Sequence, residues 1–173
     1  SWSLRPWVLP KDNGIPFQEE CHRFVPDRDG RSFTSFSPTG KVPLLVDGDI
    51  KVWDSLAITE YVAEQHKGVW PADPTARAWA RSAAAEMHSG FMALRNVCGM
   101  NIGVRVKLHE ITPKLHGDLV RLEELWADGL ARLGGPFLAG DTFTAVDALF
   151  CPVAFRIQTY GLPLGEKARA YAF

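Results

Sequence analysis

Two periodicities divide this chain. Up to about residue 68, apolar residues come in short runs separated by turn-forming residues; from Asp73 onward they recur at near-helical spacing. In the first part, Ser3 caps a short helix running through Val8, with Pro6 in its first turn, where proline is tolerated. Pro10 should kink or end that helix, and Asn13-Gly14 is a C-cap signal. Ile15 to Phe24 reads as a strand, and Phe33 to Gly40 as a loop rich in Ser, Thr, Pro and Gly. Val42–Val46 and Asp49–Trp53 predict a hairpin across Asp47-Gly48, because a type I′ turn needs φ > 0 at both central residues. A helix then carries Ile58, Tyr61, Val62 and Gln65 and ends at Gly68.

Residues 69–73 form a linker. Asp73-Pro74 is an N-cap followed by proline at N1, opening a long helix to about Cys98 with Trp79, Ala83, Met87, Gly90, Leu94 and Val97 on one face. Its length would be roughly 35 Å. Cys98 to His109 has no clear period. Thr112-Pro113 starts another helix, with Leu115, Leu119, Leu122, Trp126 and Leu133 on one face and Gly134-Gly135 after it. Thr144-Ala-Val-Asp147 has capping-box spacing, and Ala145 to Phe155 is apolar nearly all round, which predicts a central buried helix kinked at Pro152. A last helix starts at Glu166. The chain therefore reads as an α/β domain over 1–68, a linker over 69–73 and an all-helical domain over 74–173.

Composition narrows the partners. A net charge of −1 gives no electrostatic footprint for nucleic acid. No apolar run has the length of a membrane span, and no basic segment with an apolar core opens the chain, so neither a membrane nor a secretory route is expected. Cys21, Cys98 and Cys151 are odd in number, widely spaced and without C-x-x-C. That pattern speaks against a zinc site, a disulfide framework and a thioredoxin-type redox function, and fits a reducing, cytoplasmic compartment with each thiol buried. The other histidines, His22, His66, His109 and His116, lack metal-ligand spacing, so no metal is expected.

Three short stretches could carry chemistry. The first is S-W-S at the start of the first helix, whose free N–H groups and partial positive charge favour an anion. A hydroxyl of Ser1 or Ser3 could donate to a thiolate brought by a ligand; alternatively Ser3 is a plain cap. A thiol of pKa about 8.5 is only a few per cent ionised at pH 7, so lowering it by about two units makes it mostly thiolate. The second is Gly40-Lys41-Val42-Pro43: a cis Val42–Pro43 bond would leave the Val42 main chain free to pair with an extended peptide-like ligand, and a trans proline at a strand start is the plain alternative. The third is Asp54-Ser55. With Asp54 as N-cap, Ser55 stands at N1 with its N–H and hydroxyl available for a carboxylate, while Asp54 suits an ammonium. Double capping is the plain alternative.

In this order, a hydroxyl at the first helix, then G-K-V-P, then D-S, then W-P-x-D-P and FLAGDTFTAVDALF (Phe137–Phe150), the chain resembles the cytosolic glutathione transferase superfamily over nearly its whole length. The resemblance implies a thioredoxin-like N-terminal domain, an all-helical C-terminal domain, a homodimer, and glutathione as co-substrate. It implies that Asp54 and Ser55 hold the γ-glutamyl head, that Val42 pairs with the cysteinyl unit before a cis Pro43, and that Lys41 lies along the tripeptide. S-W-S-L-R is similar to the S-S-C-x-x-R motif of zeta-like serine-type members, with Ser1 at the second serine, Trp2 at the cysteine and Arg5 at the arginine. That alignment makes Ser1 the sulfur-binding hydroxyl, with Ser3 as second choice or the motif's first serine upstream of Ser1. It also implies a chain truncated at both ends, with its first strand absent. Trp2 in place of cysteine counts against a maleylacetoacetate isomerase. A small hydrophobic electrophile would sit between the domains beside Trp2, Met87, Phe91 and Arg95, although Met87 also lies on the core stripe, and His88 and Arg95 suit a dimer interface equally. The expected function is a glutathione transferase of detoxification; glutathione-dependent isomerase or dehalogenase chemistry, and a non-catalytic scaffold acting through protein partners, are the alternatives.

Overall fold

Proline and the caps place most helix starts where the sequence puts them. The computed structural model describes residues 1–25 and 32–173. Its elements are α1 (Leu4–Asp12), β1 (Leu45–Asp47), β2 (Ile50–Val52), α2 (Ser55–Gln65), α3 (Pro74–Ser89), α4 (Met92–Val97), α5 (Pro113–Leu133), α6 (Ala145–Tyr160) and α7 (Glu166–Ala172). Asp73 caps α3 by accepting from the Ala76 N–H at 2.7 Å, and Thr112 caps α5 by accepting from the Leu115 N–H at 3.3 Å. Each cap precedes a proline whose missing N–H costs nothing in the first turn. Gly134 closes α5 at φ 75°, a left-handed conformation that glycine adopts without a Cβ penalty.

Several expectations need correction. Ile15–Phe24 forms no strand; it runs as irregular chain with Phe17 and Phe24 exposed, since among the described residues no neighbouring strand supplies a ladder. Cys21 within it is exposed, Cys151 is half-buried, and Cys98 alone is fully buried, its thiol pushed up to about 11 by that burial. The hairpin is shorter and its turn sits one residue later. Asp47 pairs with Ile50, so Gly48-Asp49 are the central residues, and of these only Gly48 has positive φ, the glycine-first arrangement of a type II′ turn. Helix α1 continues past Pro10 to Asp12, and Ser3 is itself in helical conformation with no side-chain cap bond. Helix α2 ends at Gln65, three residues before Gly68. The long helix is two: α3 stops at Ser89, and Phe91 takes a left-handed φ of 53° before α4. Helix α6 runs on to Tyr160 with Pro152 inside it.

The core lies among the helices, with Met87, Leu94, Leu122, Trp126, Phe150 and Ile157 fully buried. Helix α1 packs on α6 and α2, so the N-terminal part rests directly on the central helix. Val69 and Trp70 of the linker are buried, and the Val69 carbonyl accepts from the Ala145 N–H at 2.8 Å, pinning the linker to the first turn of α6. Small residues Ala76, Ala80, Ala83 and Ala84 on the buried face of α3 allow close packing against α6. Among the described residues, no helix is long and apolar enough to cross a membrane. The architecture is a thioredoxin-like N-terminal part with a small two-stranded sheet, followed by an all-helical remainder.

Candidate functional site

A cleft of about 360 Å³ lies where the G-K-V-P loop, the start of α2 and the entry to α1 meet. Its wall is made by Trp2, Thr39, Lys41, Val42, Pro43, Trp53, Asp54 and Ser55. Three segments that are far apart in sequence thus converge on one concave surface.

The start of α2 is the most informative part. Asp54 is in extended conformation, and its Oδ1 accepts from the Leu56 N–H at 2.9 Å and the Ala57 N–H at 3.5 Å. The capping requirement is therefore met by Asp54 alone. Ser55 follows at N1. It is fully buried, and its Oγ has no hydrogen-bond partner among the described residues. Buried hydroxyls are ordinarily paired, because an unmade bond there costs about 1–3 kcal/mol. A buried, unpartnered hydroxyl on the same residue as the open first N–H of a helix is an arrangement that suits an anion. The second cap residue is not redundant capping.

Across the cleft, the Val42–Pro43 peptide bond is cis, as is Trp53–Asp54. Among the described residues, no hydrogen bond engages the Val42 main chain. The loop is held from behind: the Ser37 hydroxyl donates to the Lys41 carbonyl at 2.6 Å, and the Lys41 N–H donates to Ser37 Oγ at 3.3 Å. Ser37 is buried, so this anchor is protected from solvent.

The α1 entry carries charge. Guanidinium groups of Arg5 and Arg95 both lie over the Trp2 ring, at 4.4 and 4.3 Å from its centroid. His88 meets Trp2 edge-on at 5.3 Å, and its Nε2 stands 3.1 Å from Asp54 Oδ2. His88 thus contacts two of the cleft's lining residues, Trp2 and Asp54, in its own chain. Ser1 is exposed, and Arg156 Nη2 reaches its Oγ at 3.5 Å; Ser3 is also exposed and makes no cap bond. Met87 and Phe91 are not cleft residues: Met87 is sealed in the helical core and Phe91 packs edge-on against Phe150. Sequence reasoning missed Thr39, Trp53 and the contribution of His88. Trp53 directly precedes the D-S pair, so its position was the available signal; His88 is brought in by packing alone.

Comparison with known proteins follows the same lines. Residues 1–65 match the family model described as glutathione S-transferase, N-terminal domain. The chain is 42% identical over 57 residues to a dichloromethane dehalogenase of Methylophilus leisingeri, covering 32% of this chain and 21% of that protein, so the match spans about a fifth of its length. It is 29% identical over 174 residues to a probable maleylacetoacetate isomerase of Caenorhabditis elegans, covering 95% of this chain and 77% of that one. Its fold superposes on a glutathione transferase homologue from Burkholderia, solved with bound glutathione, with a TM-score of 0.70 at 22% identity, over 98% of this chain and 82% of the other. Residues 1–65 thus match the glutathione S-transferase N-terminal domain family, and the chain as a whole has the fold of the glutathione transferase homologue.

Proposed function

We propose that this protein is a glutathione transferase: it binds glutathione in the cleft, favours its thiolate, and adds that thiolate to a small electrophile. The observation that carries the reading is Ser55, buried and with a free Oγ at the N-terminus of α2, in one cleft with Lys41, Val42, Pro43 and Asp54. The Ser55 hydroxyl and its own N–H, at N1 of α2, suit the α-carboxylate of a γ-glutamyl head. The free Val42 N–H and C=O suit the tripeptide's backbone, in the manner of an added strand. Asp54 Oδ2 suits the ammonium, with His88 as the neighbour it would exchange.

At the sulfur end, a hydroxyl donates to the thiolate, and the start of α1 adds its partial positive charge. Ser1 fits that role. Arg156 donates toward its oxygen, which leaves the hydroxyl proton free for the sulfur. The thiolate then attacks the electrophilic carbon: the C–S bond forms, the leaving group departs with its electron pair, and the thiol proton goes to solvent. Dehalogenation and thiol-dependent isomerisation begin with the same attack. A homodimer is part of the same proposal, and sedimentation velocity would check it.

Two measurements test the reading. Titrating the thiolate absorbance of bound glutathione should give a thiol pKa at least one unit below that of the free tripeptide; an equal value ends the activation claim. Ser55→Ala should weaken glutathione binding by about 1–2 kcal/mol, some 5- to 30-fold, without destabilising the empty protein, because the lost hydroxyl has no partner to leave behind. Unchanged affinity would return Ser55 to a purely structural role.

A further inference from the structure

We propose that the electrophile side of this cleft has an anion-accepting wall, made of Arg5 and Arg95 over Trp2 with Arg156 beside them, and that the second substrate carries a carboxylate. This deepens the glutathione reading and rests on it for the reaction, though not for the binding site itself.

Arg5 is the central observation. It is 1% exposed, and both its Nε and Nη1 lack hydrogen-bond partners among the described residues. A buried guanidinium without an acceptor is expensive, so proteins pair such groups or use them. Here no partner stands among the described residues. Arg81, Arg121 and Arg132 each form ion pairs with carboxylates, whereas among the described residues none of Arg5, Arg95 and Arg156 does. These three sit close enough to feel one another. Burial holds the Arg5 guanidinium down at about 10, and the charges of Arg95 and Arg156 push the same way. Burial and then Arg95 lower Arg156 too. The carboxylate that acts on Arg5 is Asp54, and it is already engaged: Oδ1 caps α2 and Oδ2 faces His88.

The free donors differ among the three. Arg156 is tied, with Nε donating to the Cys98 carbonyl at 2.7 Å and Nη1 to the Pro152 carbonyl at 3.1 Å, so it supplies charge and fixes position. Arg95 spends only Nη1, on the His88 and Gly90 carbonyls, and its Nε and Nη2 make no hydrogen bond among the described residues. A guanidinium edge of this kind matches a planar carboxylate with two parallel bonds. Trp2 joins the wall to the cleft, since it carries both arginines and also lines the space shared with Val42, Pro43 and Ser55. An anionic group held over Trp2 would thus lie next to the sulfur end of the tripeptide. The thiolate itself is the other anion such a wall attracts, and the experiment separates the two.

The first arm needs no glutathione. Saturation-transfer NMR with propionate and propionamide should show propionate bound at least tenfold more tightly by the empty protein, and Arg95→Gln should weaken it at least fivefold while Arg95→Lys restores part of the loss. The second arm uses chloroacetate and chloroacetamide with glutathione, each rate divided by its uncatalysed reaction. In that reaction the C–S bond replaces C–Cl, chloride leaves with the electron pair, and the thiol proton passes to solvent. The acid should be preferred in kcat/KM, and Arg95→Gln should cut the acid-to-amide ratio at least tenfold. Equal binding of propionate and propionamide to the wild-type protein overturns the proposal, whatever the variants do. An amide turned over as well as the acid, together with a raised thiol pKa in Arg95→Gln, also overturns it and gives the arginines to the thiolate. Selective propionate binding with neither chloro compound turned over leaves the anion wall standing and ends the transferase reading.

Discussion

Asp147→Ala lowers the stability of the folded protein by about 3–5 kcal/mol, a large part of the roughly 5–15 kcal/mol that a domain of this kind has to spend. The side chain is buried and accepts four hydrogen bonds. Its Oδ1 takes the Leu138 N–H and the Tyr171 hydroxyl, each at 2.9 Å, and its Oδ2 takes the Thr144 N–H at 2.9 Å and the Thr144 hydroxyl at 3.4 Å. Burial pushes its carboxyl above the ordinary carboxylate range, and these donors pull it back. Removing the acceptor strands two main-chain donors inside the protein, each at about 1–3 kcal/mol, and frees the segment from Leu138 to Thr144 from the start of α6. Urea unfolding should show the midpoint falling at constant slope. Asp147→Asn keeps one acceptor oxygen and should lose less than half as much. A loss under 1 kcal/mol for the alanine variant would mean that water replaces the carboxylate.

The second large effect is at Gly129, on the buried face of α5. A Cβ built there would lie 2.3 and 2.7 Å from the Trp79 ring and 2.6 Å from the Leu138 carbonyl oxygen. The ring has little room to swing, because its Nε1 donates to Asp128 at 2.7 Å. Gly129→Ala therefore destabilises by about 2–3 kcal/mol, even though alanine is the better helix former by roughly 1 kcal/mol. Adding Trp79→Leu to Gly129→Ala should recover part of this loss and not all of it, since the carbonyl contact stays. Additive losses in the double variant would place the strain elsewhere.

The legible parts of the fold were those with a local cause. Asp73-Pro74, Thr112-Pro113 and the Thr144–Asp147 spacing each combine a cap with the chemistry of a first turn, and helices begin there. The failures are non-local. Ile15–Phe24 has strand-like composition, but a strand exists only through a neighbour, and none among the described residues pairs with it. The break after Ser89 was hidden because Gly90 fits the apolar period; what decides it is the burial of Phe91 against Phe150. At the site, the loop and helix-end residues were readable, since cis-proline candidates and caps are short-range features. Arg5 stood in the motif that S-W-S-L-R resembles, yet nothing local distinguishes it from a surface arginine. Its burial, without a hydrogen-bond partner among the described residues, comes from the packing of α1 on α2 and α6.

That break has a further consequence for evolution of the cleft. The Arg95 guanidinium bridges two jobs: it satisfies carbonyls left open at the end of α3 and it stacks on Trp2. A mutation that straightened the helix, such as one adding a Cβ at Gly90 only 2.8 Å from the Glu86 carbonyl, would disturb both at once. Loss of charge at the cleft and loss of order at a helix end are therefore the same event. Under the anion-wall proposal, substrate preference drifts through residues of the helix junction that never touch a substrate.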